Sequence, residues 1–213
     1  MNDTALQQVR DKLEKVADSG NLPLVTSAIE TVHGEGNPNA EIVFIGEAAG
    51  RNEAIQRRPF VGVAGRLVNK QLEENGLKRE DVYITNVVKT RPPNNRDPLP
   101  AEILAYQEYL NEELEIIKPK LVVTLGRFSM ARFMPEVKIS EVHGRVFKYR
   151  ENNRTFVVMP FYHPAAALRR GTLMQAFIKD FQLIPLVLPL ARKIDQNEEI
   201  EGNIQELNIS SKK

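Results

Sequence analysis

The chain has 213 residues, 42% of them hydrophobic and 27% charged, with a formal net charge of +1 and no cysteine. This size and composition suit one well-filled soluble globular core and are short for two. They exclude disulfides, thiolate metal sites and cysteine nucleophiles, and the near-neutral charge disfavours a protein that coats DNA broadly while leaving room for a local positive patch.

Residues 3–17 read as a helix with Leu6, Val9, Leu13 and Val16 on one stripe. Residues 41–46 are a short β-branched run ending in Gly46, the pattern of a buried strand. The spacing of Leu67, Leu72 and Leu77 predicts a helix over 64–76, stopped by Gly76. A second strand is expected over 82–86, and a helix over 100–117 that Pro119 ends. Residues 120–125 are a third buried strand, followed by Gly126 and a short helix. Residues 144–149 and 154–159 look like a hairpin whose second arm is a fourth core strand, and 172–183 read as the last helix. The apolar stretch from Leu183 to Ala191 holds two prolines and is about half the ~20 residues of a membrane helix. The N-terminus lacks a signal-peptide pattern. A cytoplasmic, monomeric protein is expected.

Strands alternating with helices imply an α/β fold: a single-domain three-layer α/β/α arrangement with a central four-stranded, mostly parallel sheet. The folded domain is expected over 1–190, and 191–213 as a polar C-terminal tail, loose or forming a short surface helix. Such sheets bind ligands beyond the carboxyl ends of their strands. Four polar signatures fall there.

The first, Gly46-Glu47-Ala48-Ala49-Gly50, lets backbone approach a ligand closely, but its glycine spacing does not match the dinucleotide-binding pattern. The second places Phe60 in a loop stiffened by Pro59 and rich in glycine, where a ring could face a planar ligand; burial in the core is the plainer account of a lone Phe. The third runs from Ile84 to Pro98. Asn86 ends a strand, and its carboxamide can donate and accept side by side, as a nucleobase edge demands. Three basic residues among prolines and asparagines follow, suited to phosphates or simply to a solvated loop. The fourth, Tyr162-His163-Pro164, leads to Leu168, Arg169 and Arg170, which read as an apolar wedge with flanking cations or as the start of an amphipathic helix. Each plain account is respectable alone, and four such signatures at one sheet edge are hard to dismiss together.

These strings, with VVTLG and in this order, resemble the uracil-DNA glycosylase superfamily, most nearly its family 4, over about residues 10–188. The resemblance implies an enzyme that flips uracil out of single- or double-stranded DNA and hydrolyses its bond to deoxyribose. It implies Phe60 as the stacking face, Asn86 as the reader of the base edge and His163 as a donor to uracil O2. Glu47 would serve the sugar side, with Asn95 holding Glu47 or the water. Ala48 would line the base pocket where better-known members carry a water-activating Asp, and Glu53 would crowd the ring C5 against thymine. Arg91, Arg96, Arg169 and Arg170 are phosphate candidates, and Leu168 the wedge. One branch traps the sugar with a His in a loop like that of His143; the longer basic loop that accompanies it is missing, so His143 is expected to contact DNA or pack locally.

Two departures stand out. Family 4 usually carries a four-cysteine iron–sulfur cluster, and the matching places here are Ser19, Leu22, Thr90 and Tyr106. No cluster, metal or other cofactor is therefore expected, with side-chain packing in its place. Ala49 stands where the family usually has proline. Two other activities stay open at this point: a relaxed glycosylase for deaminated purines or mismatched thymine, and an inactive DNA-binding relative. No lysine is placed for Schiff-base chemistry, so no strand-nicking step is expected.

Overall fold

The computed structural model describes residues 1–194, 200 and 203–207. Seven strands form one mixed sheet. They are β1 (Glu35–Gly36), β2 (Ile42–Ala48), β3 (Tyr83–Val88), β4 (Leu121–Leu125), β5 (Val146–Glu151), β6 (Arg154–Phe161) and β7 (Ile204–Leu207), in the order β1-β3-β2-β4-β6-β5-β7. The four expected core strands are β3, β2, β4 and β6, and all of them run parallel. The expected four-stranded sheet is thus extended by three antiparallel strands, β1 and β7 at the edges and β5 between β6 and β7. Strand β5 is the first arm of the hairpin expected over 144–149 and 154–159; β1 and β7 are only two and four residues long, too short for their own pattern to carry a strand signal.

Helices cover both faces, which is why the central strands are buried on two sides and read as continuous apolar runs. On one face lie α1 (Asn2–Asp18) and α4 (Pro100–Ile117), where Leu6, Leu13, Tyr106 and Leu110 pack against Val43, Ile45 and Val122. On the other lie α3 (Val63–Glu74) and α8 (Gly171–Lys193), where Val68, Leu72, Phe177 and Phe181 pack against Phe44, Ile84 and Val123. Pro100 opens α4, and the Glu102 carboxylate caps it by accepting from Leu99 N–H at 2.7 Å. Four shorter helices occupy connections: α2 (Arg51–Gln56), α5 (Arg127–Ala131), α6 (Ile139–Val142) and α7 (Pro164–Arg169).

The last helix continues ten residues beyond the expected end at 183. Pro185 and Pro189 each remove a helical hydrogen bond, yet both lie on the exposed side, and Ile184, Val187 and Ala191 continue the buried stripe begun by Phe177. By length and composition alone this helix could cross a membrane; here that stripe lies against the sheet. Of the expected tail, Ile204–Leu207 forms β7 rather than a loose segment or a helix, pairing with β5 through Leu207 opposite Val146. Residues 191–193, expected to begin the tail, are the last turn of α8; residues 195–199, 201–202 and 208–213 lie outside the described residues.

Candidate active site

The carboxyl ends of the parallel strands open into a cavity of about 340 Å³, at the small end of ligand pockets. Strand β2 brings Glu47 and Ala48 to it, β3 brings Asn86, and the turn after β6 brings His163. Ala49 N–H donates to Thr90 O at 3.1 Å, tying the end of β2 to the chain leaving β3.

Gly46 lies directly opposite Asn86 in the ladder. A Cβ there would sit 2.3 Å from Asn86 Oδ1 and 2.5 Å from the Phe60 ring. Only glycine lets the amide and the ring approach each other across that strand. Phe60 itself has a left-handed backbone, φ 53°, a conformation that costs a bulky residue energy and persists only where its surroundings enforce it. Glu53 does so from α2: its Oε1 accepts from Val61 N–H at 2.9 Å and Gly62 N–H at 2.6 Å. Glu53 also lines the cavity; the residue expected to crowd a ring is bonded to the loop that carries Phe60.

Asn86 is only 2% exposed. Its Oδ1 meets no donor among the described residues. A buried carbonyl oxygen left unpaired costs about 1–3 kcal/mol, so such an atom facing a cavity calls for an N–H from a ligand. His163 caps α7, and its Nδ1 accepts from Ala165 N–H at 3.2 Å. That bond assigns the ring proton to Nε2. Burial lowers the His163 pKa to about 4, with the Arg169 cation adding to the effect and Glu53 opposing it. The ring is therefore a neutral Nε2–H donor at physiological pH. It lies 6.4 Å, centroid to centroid, from Phe60. Glu47 shifts the other way: burial and the negative charge of Asp97 push it up to about 7, against the pull of Arg127.

Asn95 and Arg96 complete one wall. Asn95 Oδ1 accepts from Arg91 Nε at 2.7 Å, so the amide expected to hold Glu47 or a water is bound to Arg91. The Arg96 guanidinium grips Glu102 at 2.8 and 2.6 Å, which leaves this phosphate candidate already paired. Arg169 reaches the cavity, while Leu168 and Arg170 are exposed on the same turn of chain outside it. Arg91 lies one contact behind the wall. His143 is not brought to the cavity; its Nδ1 bonds Asp180 Oδ2 at 2.9 Å. Asp97 lines the cavity unannounced. It stands within the RPPNNRDP string, where its acidic character among the basic residues was the available signal.

The four places matching the cluster of family 4 offer iron no thiolate. Ser19 Oγ donates to Val16 O, Leu22 is buried in the core, Thr90 Oγ1 donates to Glu30 O at 2.9 Å, and Tyr106 OH donates to Pro23 O at 2.6 Å. Hydroxyls and an apolar side chain do not fit an iron–sulfur cluster, which is held by thiolates. They fasten the segment between α1 and β1 directly. Tyr106→Phe is expected to cost about 1 kcal/mol, lowering Tm by roughly 2–4 °C for a chain of this size. Thermal unfolding followed by circular dichroism checks this, and an unchanged Tm would remove Tyr106 from that role.

The model of the uracil DNA glycosylase superfamily matches residues 33–182. The chain is 42% identical over 185 residues to the type-4 uracil-DNA glycosylase of Archaeoglobus fulgidus, covering 84% of this chain and 92% of that one. It is 42% identical over 184 residues to the type-4 uracil-DNA glycosylase of Sulfurisphaera tokodaii, covering 82% and 84%. With the type-4 uracil-DNA glycosylase of Saccharolobus solfataricus it shares 46% over 159 residues, covering 72% and 74%. A Gly46 gap that seats Phe60 against Asn86, a neutral His163 beside them and a match spanning most of the chain lead to one assignment: the chain belongs to the uracil DNA glycosylase superfamily.

Proposed function

We propose that this chain excises uracil from DNA, hydrolysing the N-glycosidic bond to leave an abasic site for base excision repair in the cytoplasm. The observation that carries this reading is the unpaired Asn86 Oδ1 in one cavity with Phe60 and His163. A base inside a duplex cannot reach such a cavity, so the nucleotide is flipped out. Phe60 stacks on the ring, worth about 1–3 kcal/mol per base. Asn86 Oδ1 accepts from uracil N3–H and Nδ2 donates to O4.

Water adds to C1′ as the C1′–N1 bond breaks, and the electron pair leaves on uracil, with negative charge gathering at O2. His163 Nε2–H donates to that oxygen. Glu47, as carboxylate, orients the water, stabilises the cationic sugar and takes the proton the water releases. Arg169 and Arg170 contact phosphates, and Leu168 fills the gap left by the base. No lysine lines the cavity among the described residues, and the proposed product is the abasic site with its strand intact.

The test incubates the protein, with EDTA, on single-stranded DNA holding one uracil, followed by alkaline cleavage. Cleavage at that site is expected, with parallel substrates holding hypoxanthine and thymine giving little. No cleavage at uracil would sink the proposal.

Glu47 gives the reaction its pH dependence. Its carboxylate form is the active one, and the group is pushed up to about 7. The single-turnover rate is therefore expected to rise between about pH 6 and 8 and then level off. His163, lowered to about 4, adds no change above pH 5. Glu47→Gln is expected to slow the reaction and flatten the profile. A rise that persists in Glu47→Gln would assign it to another group.

A further inference from the structure

Outside the cavity, the Asp180–His143 pair is unused by the mechanism and lies beside the chain that carries His163. Asp180 lies on the apolar stripe of α8, flanked by Phe177, Phe181 and Ile184, and is only 5% exposed. Its sole hydrogen-bond partner among the described residues is His143 Nδ1, at 2.9 Å. Burial pushes the Asp180 carboxyl up, and the His143 ring opposes that push. The chain is shaped around this contact. At Gly144 a Cβ would lie 2.3 Å from Asp180 Oδ1, and the backbone there is left-handed, φ 71°. Gly144 N–H in turn donates to Pro160 O at 2.8 Å, one residue before the end of β6.

The face of the His143 ring matters more. It lies 4.4 Å, centroid to centroid, from the ring of Tyr162. Tyr162 is the single residue between the end of β6 and His163. A carboxylate on α8 thus grips an imidazole, the imidazole lies on Tyr162, and Tyr162 carries His163 on its own backbone.

We infer that Asp180 is a positioning residue, holding His143 against Tyr162 and so fixing the turn that aims His163 into the cavity. The inference rests on the proposed role of His163. A polar pair in this place is costly in a core. A hydrophobic side chain would fill the stripe on α8 but could not orient a ring. Displacing a reacting donor by about 1 Å can cost up to 10²-fold in rate.

The test uses the full chain with Asp180→Ala, Asp180→Asn and His143→Gln. His143→Gln keeps a donor for Asp180 but loses the ring on Tyr162. Asp180→Asn keeps an oxygen that can accept from Nδ1. Expected is a fall in kcat of about tenfold in Asp180→Ala and His143→Gln, with KM for uracil-containing DNA within about twofold, and most of kcat restored in Asp180→Asn. The second readout is independent of activity. With three histidines in the chain, ¹⁵N signals of the His163 ring can be assigned, and they are expected to move in both impaired variants. Unmoved His163 signals overturn the inference. So does a rise in KM with kcat held, which would make His143 a DNA contact, or a loss of rate that merely follows Tm. If the parent chain releases no uracil, the proposed function fails, and the His163 signals alone decide the positioning.

Discussion

Replacing His163 by alanine is expected to slow uracil release about 10²–10³-fold, the usual loss when one donor to a developing oxyanion is removed. The expectation follows from how the ring is held. The α7 cap occupies Nδ1 through Ala165 N–H, so Nε2 carries the proton and is the only ring atom able to donate. Burial and the Arg169 cation keep the ring from gaining a second proton until about pH 4. A neutral donor gains little from a ground-state carbonyl and much more from O2 once the glycosidic electrons arrive there, which places its effect in kcat. The measurement is a single-turnover time course with alkaline cleavage, set beside binding to an oligonucleotide with a non-cleavable uracil analogue. Rate should fall and affinity should stay within a fewfold. A loss below about tenfold, or an equal loss in affinity, would remove His163 from the chemistry.

Much of this site is legible in the sequence, and the reason is physical. In a parallel sheet buried on both faces, the strand interiors must be apolar, so the runs that became β2, β3, β4 and β6 announce themselves. Polar residues at their carboxyl ends then have no structural excuse. That logic reaches Glu47, Asn86 and His163 without coordinates. It reaches Phe60 less directly, since a buried Phe has many explanations and only the left-handed backbone and the Gly46 gap make this one specific. Partnerships are another matter. Glu53 with the Val61 and Gly62 amides, Arg96 with Glu102, and Asp180 with His143 each depend on how loops close in three dimensions. Spacing along the chain does not encode them. The edge strand β7 fails for a related reason: it is four residues long, and its ladder with β5 and the Arg145–Glu206 pair join residues about sixty positions apart. The end of α8 misleads because two prolines four residues apart normally break a helix, unless both face solvent as here.

Asn86→Ala separates a reading residue from a structural one by two effects of opposite sign. A buried asparagine that serves the fold leaves its partners unpaired when truncated, and stability falls. Asn86 has no such partner for Oδ1 among the described residues. Removing it relieves an unpaired buried group, so Tm is expected to stay level or rise. Catalysis should move the other way. Uracil presents N3–H and O4 to the amide, a donor and an acceptor. Without Asn86 both enter the cavity unmatched, at about 1–3 kcal/mol, which is roughly 5–150-fold in kcat/KM. Cytosine presents the reversed order, an acceptor at N3 and a donor at N4, and already meets that penalty in the parent protein. The variant should therefore lose selectivity along with rate, the ratio of uracil to cytosine release falling toward one. Matched oligonucleotides holding either base, measured beside thermal unfolding, give both quantities. A lowered Tm with selectivity intact would return Asn86 to the scaffold.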